Sequence, residues 1–241
     1  KLLDLCDVQS GENVLDLAWG TGLVTLPLAD AIGPSGRVFA TDLSDRMVEH
    51  TQSLCHTRGL NHVTALRADA EDLSAFDEAT FDVVSCALGL MYCPDPKAAL
   101  SESFRVLKPG GRAVFAVWGA RKNCGWAEIF PIVDARVHSS VCPLFFHLGT
   151  SDILATEMKQ AGFATIETER ILCDLPYPDA KTAIDAAFIG GPVALAYSRF
   201  DQTTRAEVRL EYLDSISDYK HDSGYKIPGE FVVNYGIKPN L

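Results

Sequence analysis

The sequence predicts an α/β fold, a doubly wound parallel sheet covered by helices on both faces. Three observations predict it. Short apolar runs that read as strands alternate with stretches that read as helices. Glycine- and proline-rich stops separate them, at Gly33-Pro34-Ser35-Gly36 and again at Lys108-Pro109-Gly110-Gly111. The stretch from Asn13 to Asp42 then joins a buried strand, a glycine turn and a helix into one unit around which the rest is organised.

Taken in order, Lys1 to Val8 reads as the tail of a helix, and Val14, Leu15 and Leu17 mark the first strand. Leu23 to Ile32 reads as a helix in which Pro27 removes a backbone donor, so a late start or a kink is expected there. Arg37 to Thr41 is the second strand. Ser44 is placed to cap the next helix, with Met47, Thr51 and Leu54 as its inward stripe and Gly59 as its stop. Val63 to Ala68 and Phe81 to Ala87 are the third and fourth strands. Asp95-Pro96 opens a helix by capping chemistry, with Leu100, Phe104 and Leu107 inward, and Ala113 to Trp118 is the fifth strand. Beyond it, Trp126, Ile129, Phe130, Val133 and Val137 recur at helical spacing, and an aromatic loop covers Val141 to Gly149. Ser151 to Ala161, Asp179 to Ile189 and Thr203 to Ser217 read as helices, Thr165 to Cys173 and Glu230 to Gly236 as strands.

Composition limits the partners. The chain has 241 residues, 47% of them hydrophobic, enough for one sizeable core. Its formal net charge of −11 disfavours nucleic acid and anionic lipid, since Arg121-Lys122 is the only adjacent basic pair. Seven scattered cysteines with no C-x-x-C read as reduced thiols in a cytoplasmic protein. No apolar run approaches the ~20 residues of a membrane span.

The glycine turn chooses between ligands. A dinucleotide fingerprint asks for G-x-G-x-x-G, and here Gly20 and Gly22 are followed by Thr25. A better fit is an acid followed by small residues at every second place: Asp16, Ala18, Gly20, Gly22. At these residues the chain resembles the Rossmann-like S-adenosylmethionine-dependent methyltransferases, in particular the small-molecule branch that includes the quinone-biosynthesis C-methyltransferases. Asp42 falls twenty residues past Gly22, a spacing that suits an acid accepting ribose hydroxyls in either family.

The resemblance covers roughly residues 11 to 118 and implies a seven-stranded, mostly parallel sheet with an antiparallel hairpin at the edge and a partly helical cap. The hairpin would pair Thr165 to Cys173 with Glu230 to Gly236, the last strand inserting between the fifth and sixth. It implies S-adenosylmethionine as cofactor. Asp16, Ala18, Gly20 and Gly22 would surround its amino-acid end and sugar, Asp42 with Leu43 its ribose, and Met47 with Asp69 and Ala70 its adenine. Ala87, ending the fourth strand, would approach the methionine part. Taken singly, Asp69 also reads as a surface acid beside Glu71 and Asp72, and Met47 as core packing. Leu107-Lys108-Pro109-Gly110-Gly111-Arg112 matches the family's turn before strand five. Trp19 departs from the pattern, which holds a small residue there; it could stack beside the ligand, point into the lid or obstruct binding. Related methyltransferases carry further N-terminal residues, and a chain opening at Lys1 is expected to be trimmed.

The expected organisation is one domain over 1–241: a cofactor-binding core over 11–118, acceptor-side segments and cap over 119–228, and a last strand and tail over 229–241. A small-molecule acceptor is expected, with a second copy of the chain as a possible partner. Methyl transfer needs placement and exclusion of water first, with a base where the acceptor carries a proton. Tyr92 and His147 are the candidates, each weighed against a place in the pocket wall or core. His138, Cys142 and His147 lack the spacing of a metal site, and Cys93, Cys124 and Cys142 read as buried small residues. His50, His56, His62 and His221 read as surface positions. The rival readings are a nicotinamide-dependent oxidoreductase and a cofactor-binding protein of the same fold without turnover.

Overall fold

The computed structural model describes residues 1–137 and 142–240, with the side chains of residues 142 and 143 left aside. The first half alternates as the sequence predicts: α1 (Leu2–Cys6), β1 (Asn13–Leu17), α2 (Thr25–Ile32), β2 (Arg37–Asp42), α3 (Asp45–Arg58), β3 (Val63–Arg67), β4 (Phe81–Ala87), α4 (Pro96–Val106) and β5 (Leu107–Trp118). After these come α5 (Ile129–Asp134), α6 (Cys142–Phe145), α7 (Ile153–Gln160), β6 (Ala164–Tyr177), α8 (Ala180–Phe188), α9 (Ala194–Ser198), α10 (Gln202–Ser215), β7 (Lys220–His221) and β8 (Gly224–Ile237).

The strand order is β3-β2-β1-β4-β5-β8-β6, with β7 paired to β8. β1 pairs in parallel with both β2 and β4, β2 with β3, and β4 with β5, while antiparallel strands complete the edge. The last long strand thus lies between the fifth and sixth, as the resemblance implies. The sheet has eight strands rather than seven, because two residues of β7 fold back antiparallel on the start of β8.

Local chemistry accounts for most departures from the expected boundaries. Helix α2 begins at Thr25 rather than Leu23, which leaves Pro27 in the first turn, where its missing donor has no partner to lose. Helix α3 is capped by Ser44, but it buries Val48, Thr51 and Cys55; Met47 and Leu54 are only half-buried. In α4 the Asp95 carboxylate accepts from the amides of Lys97 and Ala98, and the helix buries Leu100 with Ala99, Ser103 and Val106; Phe104 is half-buried, and Leu107 is buried on β5. Strand β5 starts six residues early. Phe81 pairs with Leu107 and then Val83 with Arg112, so the Lys108–Gly111 turn bulges out of the ladder. That bulge is still paired: the Gly110 amide donates to the Lys238 carbonyl, and the Lys238 amide to that of Gly111. The short helix α9, which the sequence reading lacked, lies between Gly191 and Phe200.

The chain divides into two compact units. The first comprises Lys1–Val117, Asp152–Glu169 and Val232–Leu241. Its core holds the fully buried Val14, Leu15 and Leu17 of β1 and an edge-to-face triangle of Phe39, Phe76 and Phe81, with centroids 5.1 to 5.6 Å apart. Arg112 ties α1 to this sheet. Its guanidinium donates to the carbonyls of Cys6 and Asp7 and in fork fashion to both carboxylate oxygens of Glu12, at 2.8 and 2.9 Å. The second unit comprises Trp118–Ser151 and Arg170–Phe231. Its core is aromatic, with Trp118 stacked on Phe231 at 4.3 Å and Trp126, Phe130, Phe145 and Phe146 in mutual contact.

The Arg112 fork is largely shielded from water, so cutting it strands Glu12 and two carbonyls. Arg112→Ala should lower the free energy of unfolding in urea by about 2–3 kcal/mol.

Candidate functional site

In the first unit, strand order reverses between β1 and β4, and the carboxyl ends of β1, β2, β3 and β4 lie side by side there. An open parallel sheet leaves a crevice for ligand at such a switch point. Backbone bonds stitch the loops beyond the strand ends together. The Trp19 amide donates to the Thr41 carbonyl, the Ala68 amide to that of Asp42, and the Leu88 amide to that of Ala116.

Beneath the first loop lies Asp16, 1% exposed. Thr25 donates its hydroxyl to one carboxylate oxygen at 2.5 Å, and Ser85 donates to the other at 2.7 Å. Burial pushes this carboxyl up to about 6, although both hydroxyls pull it down. Thr25 occupies the place where a dinucleotide fingerprint has its third glycine, and here that place is needed for a donor. Neither hydroxyl was read from the sequence as a site residue; the failed third glycine was the available signal for Thr25.

Above Asp16 the chain turns sharply. Ala18, Gly20 and Gly22 have φ of 50°, 57° and 83°. A left-handed alanine costs on the order of 1 kcal/mol and persists only where its surroundings impose it. Leu88, across the switch point, is also left-handed at 59°. Gly89 follows it, and a Cβ there would sit 2.3 Å from the Cβ of Ala18. Gly89 is thus required by the close approach of the two loops. Trp19 is buried, and its ring edge lies 3.5 Å from where a Gly22 Cβ would be. Its indole nitrogen has no hydrogen-bond partner among the described residues.

The Asp42 carboxylate accepts from the Gly20 amide at 3.2 Å and from the Ser44 amide at 2.9 Å, one bond to each oxygen. Each oxygen keeps a further lone pair, so the group retains acceptor capacity for a diol. Leu43 is exposed beside it, and Met47 is half-buried. Asp69 accepts the Glu71 amide on one carboxylate oxygen and the Asp72 amide on its backbone carbonyl, which leaves the other carboxylate oxygen as an acceptor; Ala70 is half-buried in the same turn. Ala87, half-buried, ends β4. A shallow cleft of about 680 Å³ lies beyond this turn, lined by Glu71, Asp72, Phe76, Glu102 and Arg105 among others, and contains none of the predicted cofactor residues.

The proton-transfer candidates fall in different units. Tyr92 lies in the first, on a short turn after β4, and is exposed; His147 lies in the second and is exposed. His138 and the side chain of Cys142 lie outside the described residues. Among the described residues no group of three His, Cys, Asp or Glu is arranged to hold a metal. Cys124 is buried as read, whereas Cys93 is half-buried. His62 is not a surface position: it is half-buried, with Nε2 2.9 Å from the Ala29 carbonyl oxygen.

A glycine turn over a buried acid, an acceptor carboxylate ending the second strand and a switch point between β1 and β4 define a Rossmann-like α/β domain with a crevice at the strand ends. Residues 14–111 match the family described as a methyltransferase domain. That stretch holds the glycine turn, Asp42 and Asp69, and its likeness to methyltransferase domains covers less than half of the chain. The chain is similar to the demethylmenaquinone methyltransferase of Anoxybacillus flavithermus, 41% identical over 108 residues that make up 45% of each chain. The match therefore spans less than half the length of that relative. It is 26% identical over 249 residues to the nocamycin O-methyltransferase of Saccharothrix syringae, covering 98% of this chain and 88% of that one. In fold it is similar to the YcgJ protein of Bacillus subtilis, with a TM-score of 0.69 at 18% identity over 100% of this chain and 97% of the other.

The buried acid has a consequence in solution. Because the folded state holds the Asp16 proton more tightly than the unfolded state does, the native protein is penalised as pH rises from the ordinary carboxylate range through about 6. This component should amount to on the order of 3 kcal/mol, be complete above that range, and be missing from the pH profile of Asp16→Asn in urea unfolding.

Proposed function

We propose that the chain binds S-adenosylmethionine at the switch point and transfers its methyl group to a small-molecule acceptor. The single observation that carries this reading is the Asp42 carboxylate, fixed by the Gly20 and Ser44 amides with an acceptor lone pair left on each oxygen. The donor and acceptor set suits the cofactor. Asp42 would take the ribose hydroxyls, with Leu43 and Met47 as apolar neighbours. Asp69 and Ala70 would take the adenine edge, and the Ala18–Gly22 backbone with Ala87 the amino-acid end. Asp16 acts from below by holding the turn. When bound, S-adenosylmethionine supplies a methyl group made electrophilic by its sulfonium.

Displacement at such a methyl is collinear, so the protein's work is to place the acceptor atom and exclude water. Tyr92 and His147 are retained as candidates to receive an acceptor proton, and residues 119–228 as the part of the chain that selects the acceptor. Thr25 speaks against the nicotinamide reading, since the place of the third glycine is filled by a donor to Asp16. The chain's formal charge of −11 supports an acceptor other than nucleic acid. Free thiols at every described cysteine support a cytoplasmic setting, and exposed Leu172, Ile189, Leu195 and Leu210 support a second copy as partner. Among the described residues no helix is long and apolar enough to cross a membrane.

Calorimetric titration with S-adenosylhomocysteine, with NADH as the control, tests the cofactor. Binding of the first alone is expected, and Asp42→Ala should weaken it about 10- to 100-fold while far-UV circular dichroism stays unchanged. Equal affinity in the variant removes Asp42 from the site, and binding of NADH alone removes the methyltransferase reading.

A further inference from the structure

Within the second unit, α10 carries Arg205 and Arg209 one turn apart, and both guanidiniums lie over the ring of Tyr197 on α9. Their central carbons are 5.2 and 5.6 Å from its centroid. Like charges at this spacing repel, and a phenol ring offsets the repulsion only in part. Such a pair usually comes with a carboxylate, yet among the described residues neither arginine has one within ion-pair distance, in a chain with eleven more acids than bases. The neighbouring acids are engaged elsewhere: Asp201 caps α10 through the Thr204 amide, Glu211 pairs with Arg136, and Asp185 pairs with Lys181. Lys181 itself feels the charge of Arg209 and so adds to the positive field.

The hydrogen bonds show the same imbalance. Of the seven buried side-chain polar atoms without a partner among the described residues, three belong to this cluster: the Tyr197 hydroxyl and the Nε atoms of Arg205 and Arg209. All three carry a hydrogen, and no acceptor faces them. Arg205 places one Nη on the Ser198 carbonyl, whereas Arg209 donates to no group among the described residues. Tyr197 is 5% exposed and backed by Phe188, with ring centroids 4.9 Å apart, so its hydroxyl is fixed in place. Both arginines are half-buried, so neither residue is sealed from solvent.

We propose that Arg205, Arg209 and Tyr197 form a binding site for the oxyanion of a small molecule, a phosphate or a carboxylate. Such a group supplies the missing negative charge and the missing acceptors together, and a guanidinium fork matches its geometry. The site uses no residue of the cofactor reading and stands independently of it.

The test is thermal unfolding of the full chain across a phosphate series, against chloride of equal ionic strength, with acetate as the carboxylate arm. A saturating rise in Tm with phosphate or acetate is expected. Half-saturation should move at least about 10-fold higher in Arg209→Gln, whose Tm without the anion should match the wild type. An equal response in wild type and variant, or no saturation, overturns the proposal. A rise that follows protein concentration instead of anion concentration also overturns it, since acidic groups of a second copy would then be the occupant. Phosphorus-31 line broadening of inorganic phosphate by the wild-type chain reads the phosphate arm without a variant, and its absence together with a missing acetate response overturns the proposal.

Discussion

Asp16 places a carboxylate where water does not reach, and the local architecture follows from the need to satisfy it. A buried acid without donors would cost several kcal/mol, so one hydroxyl must come from α2 and another from β4. Those two bonds fix the entry of α2 relative to β1 and the register of β1 against β4, where Asp16 stands directly opposite Ser85. The glycine turn lies between these anchors. Its backbone is therefore defined by a polar network below it as much as by its own residues.

The same junction concentrates strain. Ala18 and Leu88 both adopt left-handed backbone, and Gly89 is squeezed against the Cβ of Ala18. Strained positions on two loops that meet at a switch point are held by the strands behind them, and such strain is characteristic of ligand-binding edges. The Trp19 amide, bonded to the Thr41 carbonyl, carries that order across to β2 and the Asp42 turn.

Much of this was legible in the sequence because it is local. Asp95-Pro96 predicts a helix start, Ser44 a cap and Pro27 a late start, each through chemistry within four residues. Strands β1 to β4 follow from apolar runs with glycine and proline between them. The bond from Ser85 to Asp16 spans 69 residues, and the pairing of Lys238 with the glycine turn spans still more, so neither leaves a trace in any short window. Trp19 was ambiguous for a related reason: its indole is buried with one edge beside Gly22, and no periodicity encodes that. Helix α9 and the stacking of Arg205 and Arg209 on Tyr197 depend on how two segments meet, which single-sequence patterns do not carry.

The position of β8 bears on how the protein is made. Residues 224–237 form the strand between β5 and β6, although they are synthesised after both. While the ribosome is still translating α8 to α10, β5 has an open edge and β6 has no neighbour. The nascent chain therefore passes through a stage with two unpaired strand edges, the geometry that recruits other strands. The arrival of β8 closes both edges in a single event. Translation speed between Tyr177 and Gly224, and the chaperones present during that interval, should thus govern yield more strongly than the same factors acting earlier in the chain.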